Sequence, residues 1–149
     1  MFQVLLILSV VFSIYSVVEA TCPVSWTQYD TNCYKFGLVP MTWPLCQSAC
    51  TFLNATMLCI PDATTNAWLW EQTGNTSTWI GLSDIGHVGN YTWVPGCSST
   101  YTNWDINQPD NLGIENYAYF YTQGKWDNFG DFDKVCACEI TLMNDNVSE

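Results

Sequence analysis

Oxygen-bearing side chains gather around one proline in the second half of the chain. They are Gln108 and Asp110 on either side of Pro109, then Glu115, Asn116, Asp127 and Asn128. Hard cations such as Ca²⁺ take about six to eight oxygen ligands from carboxylates, amides and carbonyls. Cysteine and histidine, which softer metals prefer as ligands, are absent from this part of the chain. These residue types therefore predict a calcium site.

The spacing of apolar residues predicts the elements in the first half of the chain. Alternating apolar and polar residues predict a hairpin over residues 25–36. Helical spacing predicts a helix over residues 42–58, with Trp43-Pro44 as its start signal, and a second over residues 63–72, which ends before Gly74. Cys46 and Cys50 then lie on one face of the first helix.

The second half of the chain is predicted to be strands and turns. Short apolar runs predict strands over residues 79–82, 91–95, 117–121 and 134–140. A long irregular stretch lies between Gly96 and Asn116. In so small a domain, a stretch of this length indicates a functional loop, and it contains most of the predicted calcium site.

The first residues predict export from the cell. Residues 1–20 hold an apolar stretch from Val4 to Val18 and end in Val18-Glu19-Ala20, which predicts a signal peptide. The amino-terminal region has no Lys or Arg, so an uncleaved anchor remains the alternative. No other stretch is long and apolar enough to span a bilayer. We therefore expect a single secreted, extracellular domain over residues 21–149, without membrane insertion.

The cysteines and glycosylation sequons also fit an extracellular protein. The eight cysteines all follow residue 20, and an even number in an exported chain predicts disulfides. They are Cys22, Cys33, Cys46, Cys50, Cys59, Cys97, Cys136 and Cys138. A zinc site at Cys136-Ala137-Cys138 is the alternative. Sequons for N-glycosylation begin at Asn54, Asn75, Asn90 and Asn146.

Charge and motifs argue against two classes of function. The chain has fourteen acidic residues, three lysines and no arginine, which disfavours nucleic-acid binding because that binding depends on Lys and Arg. His87 is the single histidine, and no Ser or Cys nucleophile motif accompanies it. A facing pair of glycosidase carboxylates remains open on sequence alone. We therefore predict a binding protein rather than an enzyme.

Several motifs in a fixed order resemble the C-type lectin family over nearly the whole chain after residue 20. The segment Cys22 to Cys33 resembles that family's amino-terminal hairpin, and Trp43 to Ile60 its first-helix pattern. Trp79-Ile80-Gly81-Leu82 matches its core signature, and the strand Tyr91 to Gly96 follows it. Gln108-Pro109-Asp110 matches the tripeptide that accompanies galactose-type binding in the family.

The resemblance implies an α+β fold, with two helices packed against antiparallel sheets, a long calcium-binding loop and stabilising disulfides. By the family's pairing, Cys22 joins Cys33 and Cys50 joins Cys138. The family's usual loop cysteine falls at Tyr117 here, so Cys136 lacks its ordinary partner. We expect Cys97 to replace it, which leaves Cys46 with Cys59. Four cysteines allow three pairings, so the others stay open.

The resemblance also implies how a sugar is held. Pro109 is expected to be cis, which aims Gln108 and Asp110 at one ion, and X-Pro is the bond where cis is accessible. Two neighbouring hydroxyls of a sugar bind the same ion and hydrogen-bond its ligands. The family's mannose-type order is acid, proline, amide, whereas this chain has amide, proline, acid. The exchange of donor and acceptor favours a different hydroxyl geometry.

The second half of the site departs from the family and leaves two hypotheses open. The order Trp126-Asp127-Asn128 reverses the family's Trp-Asn-Asp, and the family's loop glutamate falls at Asn116 by spacing, with Glu115 one residue earlier. In the first hypothesis, Asn116 donates a hydrogen bond to the sugar where an acid normally accepts one, and Asp127 accepts one where an amide normally donates. In the second, Glu115 binds the ion beside Asp127. The predicted ligands of the ion are Gln108, Asp110, Glu115, Asp127 and Asn128. The predicted sugar contacts are these five and Asn116.

The function implied by the resemblance is a secreted, calcium-dependent lectin for glycans with terminal galactose or N-acetylgalactosamine. Microbial recognition in innate immunity is a role that the family implies. Trp104 and Trp126 are expected in the core rather than against sugar, and Leu112 occupies the place of the usual stacking ring. The alternative is a domain of the same fold that binds protein or mineral surfaces without sugar. Because one domain binds a monosaccharide weakly, a homo-oligomer would supply avidity.

Overall fold

The computed structural model describes residues 21–142, and the predicted signal peptide and the Asn146 sequon lie outside this range. Its two helices are α1 (Trp43–Phe52) and α2 (Ala63–Gln72). Its strands are β1 (Thr27–Tyr29), β2 (Asn32–Met41), β3 (Thr56–Met57), β4 (Trp79–Ser83), β5 (Thr92–Trp93), β6 (Tyr117–Phe120), β7 (Trp126–Phe129) and β8 (Lys134–Thr141). Neither helix between residues 21 and 142 has the length and apolar character needed to cross a bilayer.

Two four-stranded sheets form the framework, and the pairs between their strands are antiparallel. One sheet has the order β1-β2-β8-β3 and the other β5-β4-β6-β7. The predicted α+β fold with two helices is therefore confirmed. The first sheet brings the two ends of the domain together, because β2 near the start pairs with β8 near the end. The second sheet carries the long loop, which connects β5 to β6.

The two helices show how local signals determine helix ends. The second helix has the predicted bounds, and the Asp62 carboxylate caps it by accepting a 2.7 Å hydrogen bond from the Thr65 N–H. The first helix ends at Phe52, six residues earlier than predicted. Asn54 adopts a left-handed φ of 54°, and the next residues pair with β8 as β3. Apolar residues that suggested a longer helix belong instead to this strand.

The disulfides confirm two of the expected pairs and correct the other two. Cys22–Cys33 and Cys50–Cys138 are present as expected. The predicted pairs Cys97–Cys136 and Cys46–Cys59 are wrong, since the structure has Cys46–Cys136 and Cys59–Cys97. All eight cysteines lie in the described residues and none is free, so the alternative of a zinc site at Cys136-Ala137-Cys138 does not apply to this structure.

Two disulfides join α1 to β8, and the spacing of residues along a helix and along a strand explains why both can form. Four residues of a helix rise about 6 Å, and two residues of a strand extend about 6.6 Å. Cysteines at i and i+4 on the helix therefore face cysteines at i and i+2 on the strand in pairs. The two cross-links lie side by side, and all four of their cysteines are fully buried.

The core lies between the two sheets and the helices. Trp126 is fully buried at its centre, as predicted, and Trp104 packs against it from a half-buried position. Gly81 lies where β4 approaches the chain around Leu58 so closely that a Cβ atom would come within 2.9 Å of the Leu58 carbonyl oxygen. This close approach explains the glycine of the core signature.

The Glu139 carboxyl on β8 is buried, and it makes the stability of the fold depend on pH. Burial raises the pKa of Glu139 to about 8, although its Oε2 accepts a hydrogen bond from the Cys59 N–H. The folded state thus holds this proton more tightly than the unfolded chain does. Stability from this group is fully present below pH of about 4.5 and is lost as the pH rises through about 8.

We expect Glu139→Gln to be more stable than the wild type at pH 9, by about 5 kcal/mol, and to differ little at pH 4. The glutamine keeps the acceptor for Cys59 but has no charge to bury. Thermal unfolding at several pH values measures this difference. Glu71→Gln, at an exposed position of α2, is the control and should leave the pH profile unchanged. Parallel profiles for wild type and Glu139→Gln would contradict the prediction.

Candidate functional site

The sheet β5-β4-β6-β7 positions the predicted site residues. The long loop rejoins the sheet at β6, and β7 lies antiparallel to β6 with Tyr119 opposite Asp127 and Ala118 opposite Asn128. Because neighbouring residues of a strand face opposite sides, Asp127 and Asn128 diverge. Asp127 lies on the side of Tyr119, and Asn128 lies beneath the loop, fully buried.

The Gln108–Pro109 peptide bond is cis, as the resemblance implied. The Gln108 side-chain oxygen accepts a 3.0 Å hydrogen bond from the Asp110 N–H, which fixes the two residues relative to each other. Gln108 is half-buried, and the Asp110 side chain is exposed. The amide and the acid thus occupy the two sides of the proline, with the carboxylate accessible to a ligand.

Asn128 fastens the loop to the sheet with both ends of its amide. Its oxygen accepts a 2.9 Å hydrogen bond from the Asp110 N–H, while its nitrogen donates to the carbonyl oxygens of Asp110 and Glu115. The Tyr91 hydroxyl donates to the same Glu115 carbonyl. An aspartate at position 128 would lack the donor that these carbonyls require. The asparagine therefore shapes the loop through hydrogen bonds alone.

A single amide holds the carboxylates of Asp110 and Glu115 near each other. The Asn111 nitrogen donates to Asp110 Oδ1 at 3.2 Å and to Glu115 Oε2 at 3.1 Å. Asp110 and Asn111 are exposed, and Glu115 is half-buried. Two carboxylates held by one neutral donor leave several oxygen lone pairs open toward solvent. This pair is one half of a possible cation site.

Asp127 supplies an oxygen atom that the protein leaves without a partner. Its Oδ2 accepts a 2.9 Å hydrogen bond from the Tyr119 hydroxyl, whereas its Oδ1 is buried and has no hydrogen-bond partner. Burial raises the pKa of Asp127, and the negative charge of Asp110 raises it further. An unpaired, buried carboxylate oxygen is costly unless a donor or a cation satisfies it.

Asn116 turns away from this cluster. Its nitrogen donates a 2.7 Å hydrogen bond to Asp84 Oδ1, and Asp84 Oδ2 accepts another from the Gly89 N–H at 2.7 Å. Asp84 is almost fully buried. The pair ties the loop that follows β4 to the segment before β6. Asp84 is absent from the predicted site, and its position directly after the core-signature strand was the one available signal.

Lys134 is a second residue that the sequence did not assign to this region. Its ammonium nitrogen lies 3.7 Å from the centre of the Tyr119 ring and 4.2 Å from that of Phe129. Burial lowers the pKa of Lys134, while the charges of Asp127 and Glu115 oppose that change. The lysine is thus held by aromatic faces, close enough to influence the acids electrostatically.

The residue types of this cluster suit a calcium ion in their chemistry, although the carboxylates of Asp110, Glu115 and Asp127 do not form a group whose oxygens all lie within 4.8 Å of one another. The donor set consists of carboxylate and amide oxygens, which are the ligands of hard cations. The oxygen of Asp127 that lacks a partner is the kind of atom that a bound cation would satisfy. Asn128 fits less well as a side-chain ligand, because its oxygen accepts a hydrogen bond from the Asp110 N–H and its nitrogen donates to two carbonyls of the loop.

Comparison with known proteins gives a consistent result. The model of the Lectin C-type domain matches residues 39–140. Lectin BRA-3 of Megabalanus rosa is 34% identical over 135 residues, which cover 85% of this chain and 82% of that protein. Asialoglycoprotein receptor 1 of Mus musculus is 32% identical over 139 residues, covering 84% of this chain and 46% of the receptor.

The fold matches solved structures equally well. The mouse scavenger receptor C-type lectin carbohydrate-recognition domain superposes with a TM-score of 0.76 and 28% identity, over 83% of this chain and 100% of that domain. The chain belongs to the C-type lectin family.

Proposed function

We propose that this protein is a calcium-dependent lectin that binds terminal galactose or N-acetylgalactosamine on glycans. The observation that carries the proposal is the buried Asp127 Oδ1 that has no hydrogen-bond partner, together with the carboxylates of Asp110 and Glu115 that Asn111 holds near each other. The relatives support carbohydrate binding, since they include lectins and a receptor named for asialoglycoproteins. We infer binding rather than catalysis for the same reason.

The proposed ligands of the ion are Gln108, Asp110, Glu115 and Asp127. Glu115 is preferred over Asn116 because Asn111 holds its carboxylate next to Asp110, whereas Asn116 donates to Asp84. Asn128 is proposed to support the ligands by holding the loop. The bound ion supplies open coordination positions for two neighbouring hydroxyls of a sugar.

The protein groups determine which sugar fits those positions. The Gln108 amide nitrogen donates a hydrogen bond to one hydroxyl, and an Asp110 oxygen accepts one from the other. The order of donor and acceptor across the proline is opposite to the mannose-type order, which supports galactose. Leu112 is 51% exposed and offers no aromatic ring to the sugar. The affinity for a single galactose is therefore expected to be weak.

Binding to a galactose matrix in calcium, with release by EDTA, tests this function. Isothermal titration of the oxidised protein with Ca²⁺ provides an independent measurement of the ion. Uptake of Ca²⁺ without retention on any sugar matrix would contradict sugar binding and leave the calcium site in place. No uptake of Ca²⁺ would contradict the mechanism itself.

The double substitution Gln108→Glu with Asp110→Asn should exchange the sugar preference. It keeps the net charge and the oxygen ligands but reverses which side of Pro109 donates a hydrogen bond. We expect the ratio of galactose to mannose binding to fall by about tenfold or more, since one mismatched donor–acceptor pair costs about 1–3 kcal/mol. Competition with free galactose and mannose on a glycan surface measures this ratio. An unchanged ratio would show that the tripeptide does not select the sugar.

Exposed apolar side chains beside the site favour one alternative function. Leu112 and Ile114, on the loop between Asp110 and Glu115, are 51% and 76% exposed. A domain that uses this surface to bind a protein or mineral would bind calcium but would not bind sugars. The calcium titration and the sugar matrix together separate the two functions.

We also propose that the protein acts outside the cell. Four disulfides and the predicted signal peptide support an oxidising compartment. A homo-oligomer would raise the avidity for glycans that carry several terminal sugars.

A further inference from the structure

A cavity lies directly behind the cis proline. Its volume is about 320 Å³, and Leu82, Tyr91, Trp93, Tyr101, Trp104 and Pro109 form most of its wall. Pockets that hold small ligands have volumes of roughly 300–1,000 Å³. The cavity is at the lower end of that range and suits one ring rather than a long chain.

Four half-buried aromatic rings line the cavity. Trp93, Tyr101 and Trp104 each meet the buried Trp126 at interplanar angles of 89°, 85° and 80°. Tyr91 meets Trp104 edge-on in the same way. The buried tryptophan fixes these rings, so the cavity wall is rigid. None of the four is fully buried, which leaves aromatic surface for a ligand.

The chemistry of the wall selects a neutral ligand with both apolar and hydroxyl groups. Every residue that lines the cavity, all of them among residues 82–109, is uncharged. Thr100 and Thr102 are exposed and line the cavity, whereas the Ser99 hydroxyl donates to the Ile60 carbonyl oxygen and accepts from the Tyr101 N–H. Aromatic faces pack against the apolar C–H face of a pyranose ring, and hydroxyls hydrogen-bond its edge. An anionic ligand would find no counter-charge in this wall.

Pro109 connects the cavity to the proposed sugar site. It lines the cavity, while its two neighbours are proposed ligands of the ion. The cavity therefore adjoins the segment that is proposed to hold the ion.

We infer that this cavity is a second subsite, which binds the neutral pyranose ring next to the terminal sugar of a glycan. The inference rests on the proposed function and deepens it, because it makes a disaccharide unit the ligand. A rigid aromatic contact of this kind should improve binding roughly five- to tenfold over the monosaccharide.

The test compares methyl glycosides with a set of disaccharides that share the preferred terminal sugar. Titrations use the wild type, Thr102→Tyr, Tyr101→Ala and the control Thr27→Tyr. Thr102 is exposed at the cavity, so a tyrosine there obstructs it without removing core contacts, and Thr27 is exposed on β1 in the other sheet. Tyr101→Ala removes part of the aromatic wall, with circular dichroism to establish that it folds.

We expect at least one disaccharide to bind five- to tenfold more tightly than its methyl glycoside in the wild type and in Thr27→Tyr. This gain should disappear in Thr102→Tyr and in any folded Tyr101→Ala, while methyl glycoside binding stays within about twofold. Monosaccharide binding without a disaccharide gain, or a gain that survives in Thr102→Tyr, would overturn the subsite alone. A wild type that binds no sugar in calcium would overturn the proposed function and the subsite together.

Discussion

Asp127→Asn should abolish tight calcium binding and leave the calcium-free protein at least as stable as the wild type. The substitution removes a carboxylate whose pKa is raised by burial and whose Oδ1 has no partner. It also removes a charged ligand, which should weaken Ca²⁺ binding on the order of a hundredfold or more. Calcium titration and thermal unfolding in EDTA measure the two effects separately.

The opposite signs of these effects separate a binding role from a structural one. A carboxylate that only stabilised the fold would lower the melting temperature when replaced, with or without calcium. Asp133→Asn is the matched control, since it removes the same charge from an exposed position before β8. We expect it to change neither calcium affinity nor stability by more than a small amount. A destabilised Asp127→Asn with normal calcium affinity would contradict the proposed ligand.

Asn128→Asp should strongly destabilise the calcium-free protein and make its stability depend on calcium far more than in the wild type. Asn128 is fully buried and donates to the carbonyls of Asp110 and Glu115. A carboxylate cannot donate, and its charge would face two carbonyl oxygens. The cost should be about 3–5 kcal/mol, which lowers the melting temperature by about 10 °C or more.

Calcium should restore much of that loss, because an ion bound by Asp110 and Glu115 holds the loop by contacts other than the lost hydrogen bonds. The measurement is the difference in melting temperature between calcium and EDTA, compared for the variant and the wild type. Asn107→Asp, at an exposed position of the same loop, adds the same charge without burying it and should behave like the wild type. If Asn128→Asp lost little stability in EDTA, the hydrogen bonds of Asn128 would not be what holds the loop.

The sequence was most informative where local chemistry determines structure. The predicted ends of α2 are both correct, because the Asp62 cap and the left-handed Gly74 act within a few residues. The end of α1 was missed because Thr56-Met57 pairs with β8, more than eighty residues away in sequence. A pairing partner so distant leaves no mark on the local pattern.

The same distinction applies to the candidate site. Oxygen-rich composition around Pro109 predicted the residues of the candidate site, and the structure brings two of them, Asp110 and Glu115, together through Asn111. The partners that determine what each side chain can do are distant in sequence: Asp84 lies 32 residues from Asn116, and Asn128 lies 18 from Asp110. Whether an amide turns toward the ion or away from it depends on such partners.

The paired cross-links between α1 and β8 have a consequence for the protein in a protease-rich fluid. A protease that cuts the exposed chain around Ile106 leaves Cys46 and Cys50 on one fragment and Cys136 and Cys138 on the other. The two fragments remain covalently joined and migrate as one molecule until a thiol reagent is added. Gel electrophoresis without reductant would therefore conceal damage to the loop that carries the candidate site.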